Sequence, residues 1–295
     1  MTDLDQDALM ADAVLSQKED PGLLSVMLNN RAIFWGGLLL LVFALIAVIG
    51  PFFTADPGTL NPIKRLKPPS AEIWFGSDFL GRDIFARVIY GARISLAVGI
   101  AVAIISVVIG LFLGLVAGYV RALDAIIMRT MDGLMSIPAI LLAIALISLS
   151  GATLGTVIIA IVIPEIPRVV RLVRAVVLTV RDEPYVEAAI ASGTKLPLIL
   201  SRHILPNTIA PLIVQATYVC ASAMLTESIL GFLGAGIPPE IPSWGNIMSE
   251  GRTYFQISPW IIFFPGVGLA LTVLAVNIVG DGLRDTLDPR IARKM

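Results

Sequence analysis

Residues 185–206 read YVEAAIASGTKLPLILSRHILP, a polar segment set between stretches apolar enough to cross a membrane. Glu187, Ala188 and Ala189 fall on one helical turn and Gly193 comes just after it. That spacing predicts a short helix outside the bilayer with a flexible, glycine-ended stop. Small alanines permit close packing and Glu187 offers a charged contact, so the segment is expected to dock something outside the membrane.

The rest of the composition explains why such a segment stands out. Hydrophobic residues make up 57% of the 295-residue chain and charged residues 15%, whereas charged residues are about 25% of a soluble domain. The chain is therefore read as an all-α membrane protein. Its net charge of −1 gives no general pull toward nucleic acid. Cys220 is the sole cysteine and His203 the sole histidine. No internal disulfide or Cys-based metal site follows, and His203 has no second ligand to complete one.

Six apolar segments are placed at 32–53, 94–120, 134–149, 152–168, 208–225 and 260–279. About 20 residues cross a hydrocarbon core, and helical flanks help the shorter segments. Helices are the spanning form, because the runs are continuous and backbone amides must be satisfied within lipid. Ser150 and Gly151 alone separate the third and fourth segments, which predicts a tight membrane hairpin. An even count puts both termini on one side. Placing them in the cytoplasm gives a two-to-one excess of Lys and Arg inside, in accord with the positive-inside rule. Trp35 and Trp260 are expected to be interfacial anchors. Residues 1–30 read as an acidic cytoplasmic tail ending in an amphipathic elbow; 31–93 as the first span and an extracytoplasmic loop with an interfacial helix; 94–284 as a five-helix core carrying a cytoplasmic loop at 181–206; and 285–295 as a cytoplasmic tail.

Polar residues near the spans have competing readings. Glu165, Arg168, Arg171 and Arg174 recur every three residues; they form a path for substrate carboxylates, or the arginines snorkel to lipid phosphate and extend the helix into the cytoplasm. Pro164 and Pro167 predict a bend of use in gating. Glu227 should face a cavity, a partner or the interface, because a carboxylate costs about 2.5 to 3.5 kcal/mol near lipid. It lines the substrate path or bonds backbone amides at the outer surface. Gly110, Gly114 and Gly118 form a smooth ridge for close helix approach, within this subunit or against a second one. The stretch from Gly76 to Gly81 imitates a phosphate loop, but Arg82 and Asp83 replace its Lys and Ser/Thr, so it binds no ATP. Asp83 and Arg87, four apart, read as an exposed pair on an interfacial helix. No nucleophile, base and oxyanion set can be assembled, which argues against an enzyme.

Four blocks together resemble one family: FGSDFLGRDIFARVIYGARISLAVG at 75–99, the 185–206 segment, LGFLGAGIPPEIPSWGNIM at 230–248 and NIVGDGLRDTLDPR at 277–290. The chain is similar to the permease subunits of ATP-binding-cassette importers of the dipeptide and oligopeptide type. His203 stands where the family's loop usually has isoleucine, leaving the docking turn untouched. The resemblance implies the type I importer permease fold with six transmembrane helices in a bacterial inner membrane. It implies that Glu187, Ala188, Ala189 and Gly193 form a coupling helix seated in a cytoplasmic ATPase. The chain itself would bind no cofactor, with ATP and magnesium held by separate ATPase subunits. A second homologous permease, an extracytoplasmic solute-binding protein and membrane lipid would be the other partners. Pro238, Pro239 and Trp244 are expected where the binding protein docks, and Glu227, Pro164 and Pro167 along the path or gate. Nickel, glutathione or another small solute is the alternative cargo. An ion-coupled secondary transporter is the more distant reading, for which paired mid-membrane carboxylates and an inverted repeat are missing.

Overall fold

A computed structural model describes residues 30–287. The acidic tail, the elbow and the last residues of the C-terminal tail, expected from the sequence, lie outside the described residues. Among the described residues the regular structure is helical, apart from one isolated bridge, Ser77 to Asp83.

Helix α1 (Arg31–Ile49) starts at Asn30, whose Oδ1 accepts the Ala32 N–H at 2.9 Å. It is apolar on every side, as a lipid-bathed helix should be. Helix α2 (Ile84–Tyr119) runs 36 residues without a break. Where the sequence predicts a short interfacial helix leading into a span, nothing between the cap at Asp83 and Val120 interrupts a single helix. Asp83 Oδ1 accepts the Phe85 N–H at 2.9 Å, and burial pushes this carboxyl above its ordinary range, against the lowering effect of those backbone bonds.

Helix α3 (Arg121–Met135) is amphipathic, and α4 (Ala139–Ser150) leaves it at 88°. The expected third span at 134–149 is thus corrected: α4 has only 12 residues, about 18 Å, too short to cross a core of about 30 Å unaided. Pro138 forces the break, since it offers no N–H and holds the residue before it out of the helical region. The expected hairpin does form. Gly151 turns the chain at φ +85, and a capping box between Thr153 and Thr156 opens α5 (Leu154–Arg181).

Helix α5 continues through Pro164 and Pro167 and well past the expected end at Arg168. Next come α6 (Pro184–Ala191), α7 (Leu196–Ile199) and a π-turn over Leu200–Ile204 that leads into α8 (Leu205–Phe232). Helices α9 (Trp244–Arg252) and α10 (Trp260–Leu287) complete the order. The segment at 134–149 straddles the break between α3 and α4 and the other five are largely helical, but among the described residues only the helices at Arg31–Phe52, Ile84–Tyr119, Leu196–Phe232 and Trp260–Leu287 are individually long and apolar enough to span. The bent α3–α4 pair makes a fifth only when the two helices are counted as one broken span. Helix α5 has the length but carries Glu165, Arg168 and Arg171, so the count of six is matched only roughly.

Two helix contacts organise the bundle. A side-chain carbon added at Gly110, Gly114 or Gly118 would sit 2.5 to 2.6 Å from the Cβ of Val169, Val173 or Val177 in turn. The ridge therefore receives α5 of this same subunit. At the other contact α1 lies on α10, where Asn30 Nδ2 donates to Gly282 O and Thr286 Oγ1, both at 3.3 Å. The beginning of α1 and the end of α10 thus occupy one end of the bundle. Half-buried at the first position of α10, Trp260 donates through Nε1 to Ser77 O at 3.2 Å and packs against Gly76 of the loop before α2.

Candidate functional site

The 185–206 segment begins with an exposed helix on a fixed base. Val186 is fully buried in the core while Glu187 and Ala188 are exposed and Ala189 is half-buried. Thr194 N–H donates to Ala189 O at 3.1 Å and Gly193 N–H to Ile190 O at 2.9 Å. With Gly193 at φ +78, this is a Schellman ending, which needs a residue without Cβ. The return strand of the loop is tied in by Asn207, which donates to His203 O at 2.6 Å and to the Tyr185 hydroxyl at 3.3 Å. The His203 ring lies against Tyr185. Residues 192–195, Pro197, Leu198 and Ser201 border a shallow hollow of about 540 Å³ beside the glycine.

Helix α5 delivers this segment, and α3 braces it. Arg171 Nη2 donates to Asp132 at 2.6 Å, and Arg174 forms a two-pronged contact with Asp124 at 2.5 and 2.7 Å. Arg181 Nη1 donates to Gly118 O at 3.0 Å, joining the end of α5 to the end of α2. Arg171 and Arg174 are thus paired to acids on α3, a role that neither sequence reading named.

Higher on the same helix, Glu165 is buried and accepts the Ser222 hydroxyl of α8 at 2.9 Å. Arg168 reaches both Glu165 oxygens at 3.3 Å, and its guanidinium lies 5.9 Å from the centre of the exposed Tyr218 ring. A cavity of about 650 Å³ opens below, lined by Leu172, by α8 from Pro206 to Gln215 and by Arg284 and Leu287. Pro164 is half-buried and Pro167 buried within α5.

Glu227 lies inside the subunit. It is fully buried on α8; one carboxylate oxygen accepts from the hydroxyls of Ser95 at 3.2 Å and Ser228 at 3.4 Å. Its other oxygen has no partner. The alternative at an outer surface is corrected by this burial, and the residues lining the two cavities do not include it.

At the opposite end from α6, the segment at 230–248 folds back upon itself. Asn246 Nδ2 donates to the carbonyls of Ile237, Pro238 and Ile241 at 2.9, 3.2 and 3.2 Å. Pro239 is exposed and Pro238 half-buried. Trp244 is corrected as a surface docking residue: it is fully buried, with Nε1 donating to Val88 O at 3.0 Å. A large indole is covered here because Gly91 and Gly268 make room for it.

The expected exposed Asp83–Arg87 pair is also corrected. Arg87 is buried and donates to Asp78 at 2.8 Å and to Glu250 at 2.5 and 3.1 Å. Arg82 donates to Asp78 at 2.6 Å and also to Glu250. Two acids and two arginines therefore clip the loop before α2 onto α9. The sequence signal was an acid and an arginine four apart at 78 and 82, but the fourth member comes from a distant helix. Gly81 permits the loop's tightest point: at φ +77, an added Cβ would lie 1.8 Å from Asn61 O. Among the described residues no group of three or more His, Cys, Asp or Glu is arranged to hold a metal ion.

Comparison with known proteins gives consistent matches. Residues 106–293 match the model of the family described as binding-protein-dependent transport system inner membrane component. A probable peptide ABC transporter permease of Sinorhizobium fredii is 58% identical over 266 residues, covering 90% of this chain and 91% of that protein. A dipeptide transport system permease of Alkalihalophilus pseudofirmus is 44% identical, covering 89% and 87% respectively. An oligopeptide transport system permease of Bacillus subtilis is 37% identical, covering 90% and 88%.

Proposed function

Because the chain belongs to the family of binding-protein-dependent transport system inner membrane components, we propose that it is the translocation subunit of an ATP-driven importer of di- and oligopeptides. The similar proteins bear peptide, dipeptide and oligopeptide permease names, which supports the cargo class. The observation that carries the mechanism is the exposed α6 helix, based on buried Val186 and closed by Gly193. In this reading Glu187, Ala188 and Ala189 seat in a cytoplasmic ATPase subunit, and both chain ends lie on that side of the bacterial inner membrane.

A second, homologous permease completes the path, and a solute-binding protein delivers peptide to the end that carries Pro238 and Pro239. ATP and magnesium belong to the ATPase subunits, and this chain performs no bond chemistry. ATP-driven closure of the ATPases moves α6. The movement passes into α5, whose valines sit on the glycine ridge of α2 and whose Arg171 and Arg174 hold α3. A packed ridge transmits displacement because close-packed interiors are poorly compressible. Pro164 and Pro167 place the compliant region of α5 beside the helix face that borders the cavity. Glu227 is held by hydroxyls from α2 and α8 near the start of α9, and it links gate movement to the outer end.

The complete importer, with its ATPases, partner permease and binding protein, is reconstituted in proteoliposomes and assayed for peptide-stimulated ATP hydrolysis. Peptides are expected to stimulate wild type. Glu187→Ala and Gly193→Asp should abolish that stimulation while the complex remains assembled. Normal coupling in both variants would remove α6 from the ATPase interface; dependence on α6 without a response to peptides would overturn the cargo alone.

A further inference from the structure

Arg168 differs from the other arginines of its series. Asp132 and Asp124 on α3 neutralise Arg171 and Arg174. Arg168 donates through Nη1 alone, to the two oxygens of Glu165 at 3.3 Å. Among the described residues its Nε and Nη2 have no hydrogen-bond partner.

Arg168 also lies closer to Leu154 along α5 than Arg171 and Arg174 do. Arg168 stands at the midpoint of the 28-residue α5, about 21 Å along the axis from Leu154. A hydrocarbon core of about 30 Å that began at Leu154 would extend past it. Its side chain is nevertheless 41% exposed in the isolated subunit. It reaches toward Tyr218, itself 53% exposed and midway along α8. An ionised side chain at that depth faces a cavity or a partner, because lipid solvates it poorly. The residues that line the 650 Å³ cavity do not include Arg168 or Tyr218 but begin one turn from each, at Leu172 of α5 and at Val214 and Gln215 of α8.

The chemistry of the cluster selects the ligand. Tyr218 supports the guanidinium from α8, and Ser222 fixes Glu165 from the same helix. One prong of the guanidinium is thereby held, and the Nε and Nη2 donors remain, a planar fork matched to a carboxylate. Glu165 offsets part of the positive charge. A transit site needs that balance, since a ligand has to leave it as readily as it arrives.

We propose that Arg168 is a carboxylate-binding group of the translocation path and receives the C-terminal carboxylate of a peptide passing along the face formed by α5 and α8. The inference rests on the peptide-permease reading and adds to it a contact with the cargo. Glu165 and Tyr218 are positioning residues. The two-pronged recognition belongs to Arg168.

The test uses the complete importer in proteoliposomes, with labelled di- and tripeptides saturating the binding protein. Each peptide is supplied with a free C-terminal carboxylate and as its C-terminal amide. Arg168→Gln is expected to lower uptake of the free acids roughly ten- to hundredfold, the range of a charge-assisted contact, while uptake of the amides matches wild type. ATP hydrolysis stimulated by the loaded binding protein should persist, and Arg168→Lys should restore part of the lost uptake. Equal uptake by Arg168→Gln and wild type overturns the proposal, as does an equal loss for acids and amides. If Arg168→Gln does not assemble, Tyr218→Leu, which keeps the charge and removes its support, is expected to show the same selective loss. Failure of both to assemble assigns the cluster to the contact with the second permease and overturns the proposal. Wild type that imports neither acids nor amides would instead refute the peptide-permease reading.

Discussion

Gly114 shows how much a single residue determines here. A Cβ built on it would lie 2.6 Å from the Cβ of Val173 and 2.8 Å from its Cγ1, while one on Gly133 meets nothing within 4 Å. Gly114→Leu forces α2 and α5 apart and should cost about 1 to 3 kcal/mol through overpacking. Gly133→Ala, in the exposed interior of α3, should gain up to about 1 kcal/mol from helix propensity. Thermal unfolding of the two purified variants in one detergent checks both signs; a Gly114→Leu protein as stable as wild type would mean that the ridge is not a tight contact. The four-residue spacing was enough to identify a packing surface, but not its partner, because one face of glycines fits any small-grooved helix. The three-residue spacing at 168, 171 and 174 was legible in the same limited way. Which arginine lacks an acid on α3 was not, since Asp124 and Asp132 come from a helix some 40 to 50 positions earlier.

At the scale of elements, local signals worked where a segment's fate is decided locally. Gly193 closes α6 and Ser150–Gly151 makes the hairpin. Hydropathy failed at α3 and α4 because Leu134 and Met135 are apolar yet belong to the helix before Pro138. At Trp244 the docking role implied by the resemblance fails, because the fold supplies glycines that cover the ring. The larger omission was the joint between the loop before α2 and α9. Glu250 is the only link that α9 contributes to the cluster of Asp78, Arg82 and Arg87. Removing one member of a buried ionic set leaves uncompensated charge, a loss of about 3 to 5 kcal/mol. Glu250→Ala should therefore release the loop over residues 53–83 before the rest of the bundle opens. Limited proteolysis in detergent is expected to nick that loop in the variant and spare it in wild type; equal resistance would show that the clip is dispensable. Glu250→Gln, which keeps hydrogen-bond acceptors at one oxygen, should fall between the two.

Across the whole molecule, side-chain contacts fix a polarity that charge counting addresses only statistically. Asn30 touches Thr286, so the start of α1 and the end of α10 share an end of the bundle. Arg284 and Leu287 border the same cavity as Pro206 and Leu172, which brings the 181–206 segment to that end as well. Helix α10 has 28 residues and is about 42 Å long. Its other terminus, Trp260, bonds to Ser77 beside the clip that holds Glu250. The helix that docks an ATPase in the proposed mechanism and the loops that meet a binding protein are thus separated by more than the thickness of a hydrocarbon core. Single cysteines placed in a Cys220→Ser background can read this separation directly, because Cys220 is the only native thiol. Both Ala188 and Ile257 are exposed, so neither substitution disturbs the interior. In cells with a permeable outer barrier and an intact inner membrane, Ile257→Cys is expected to react with a membrane-impermeant maleimide at once. Ala188→Cys should react only after the inner membrane is opened, or in inverted vesicles. Labelling of both from one face would contradict the structure itself. The reverse pattern would leave the bundle intact and invert its orientation, moving α6 away from any cytoplasmic ATPase and removing the physical basis of the coupling mechanism.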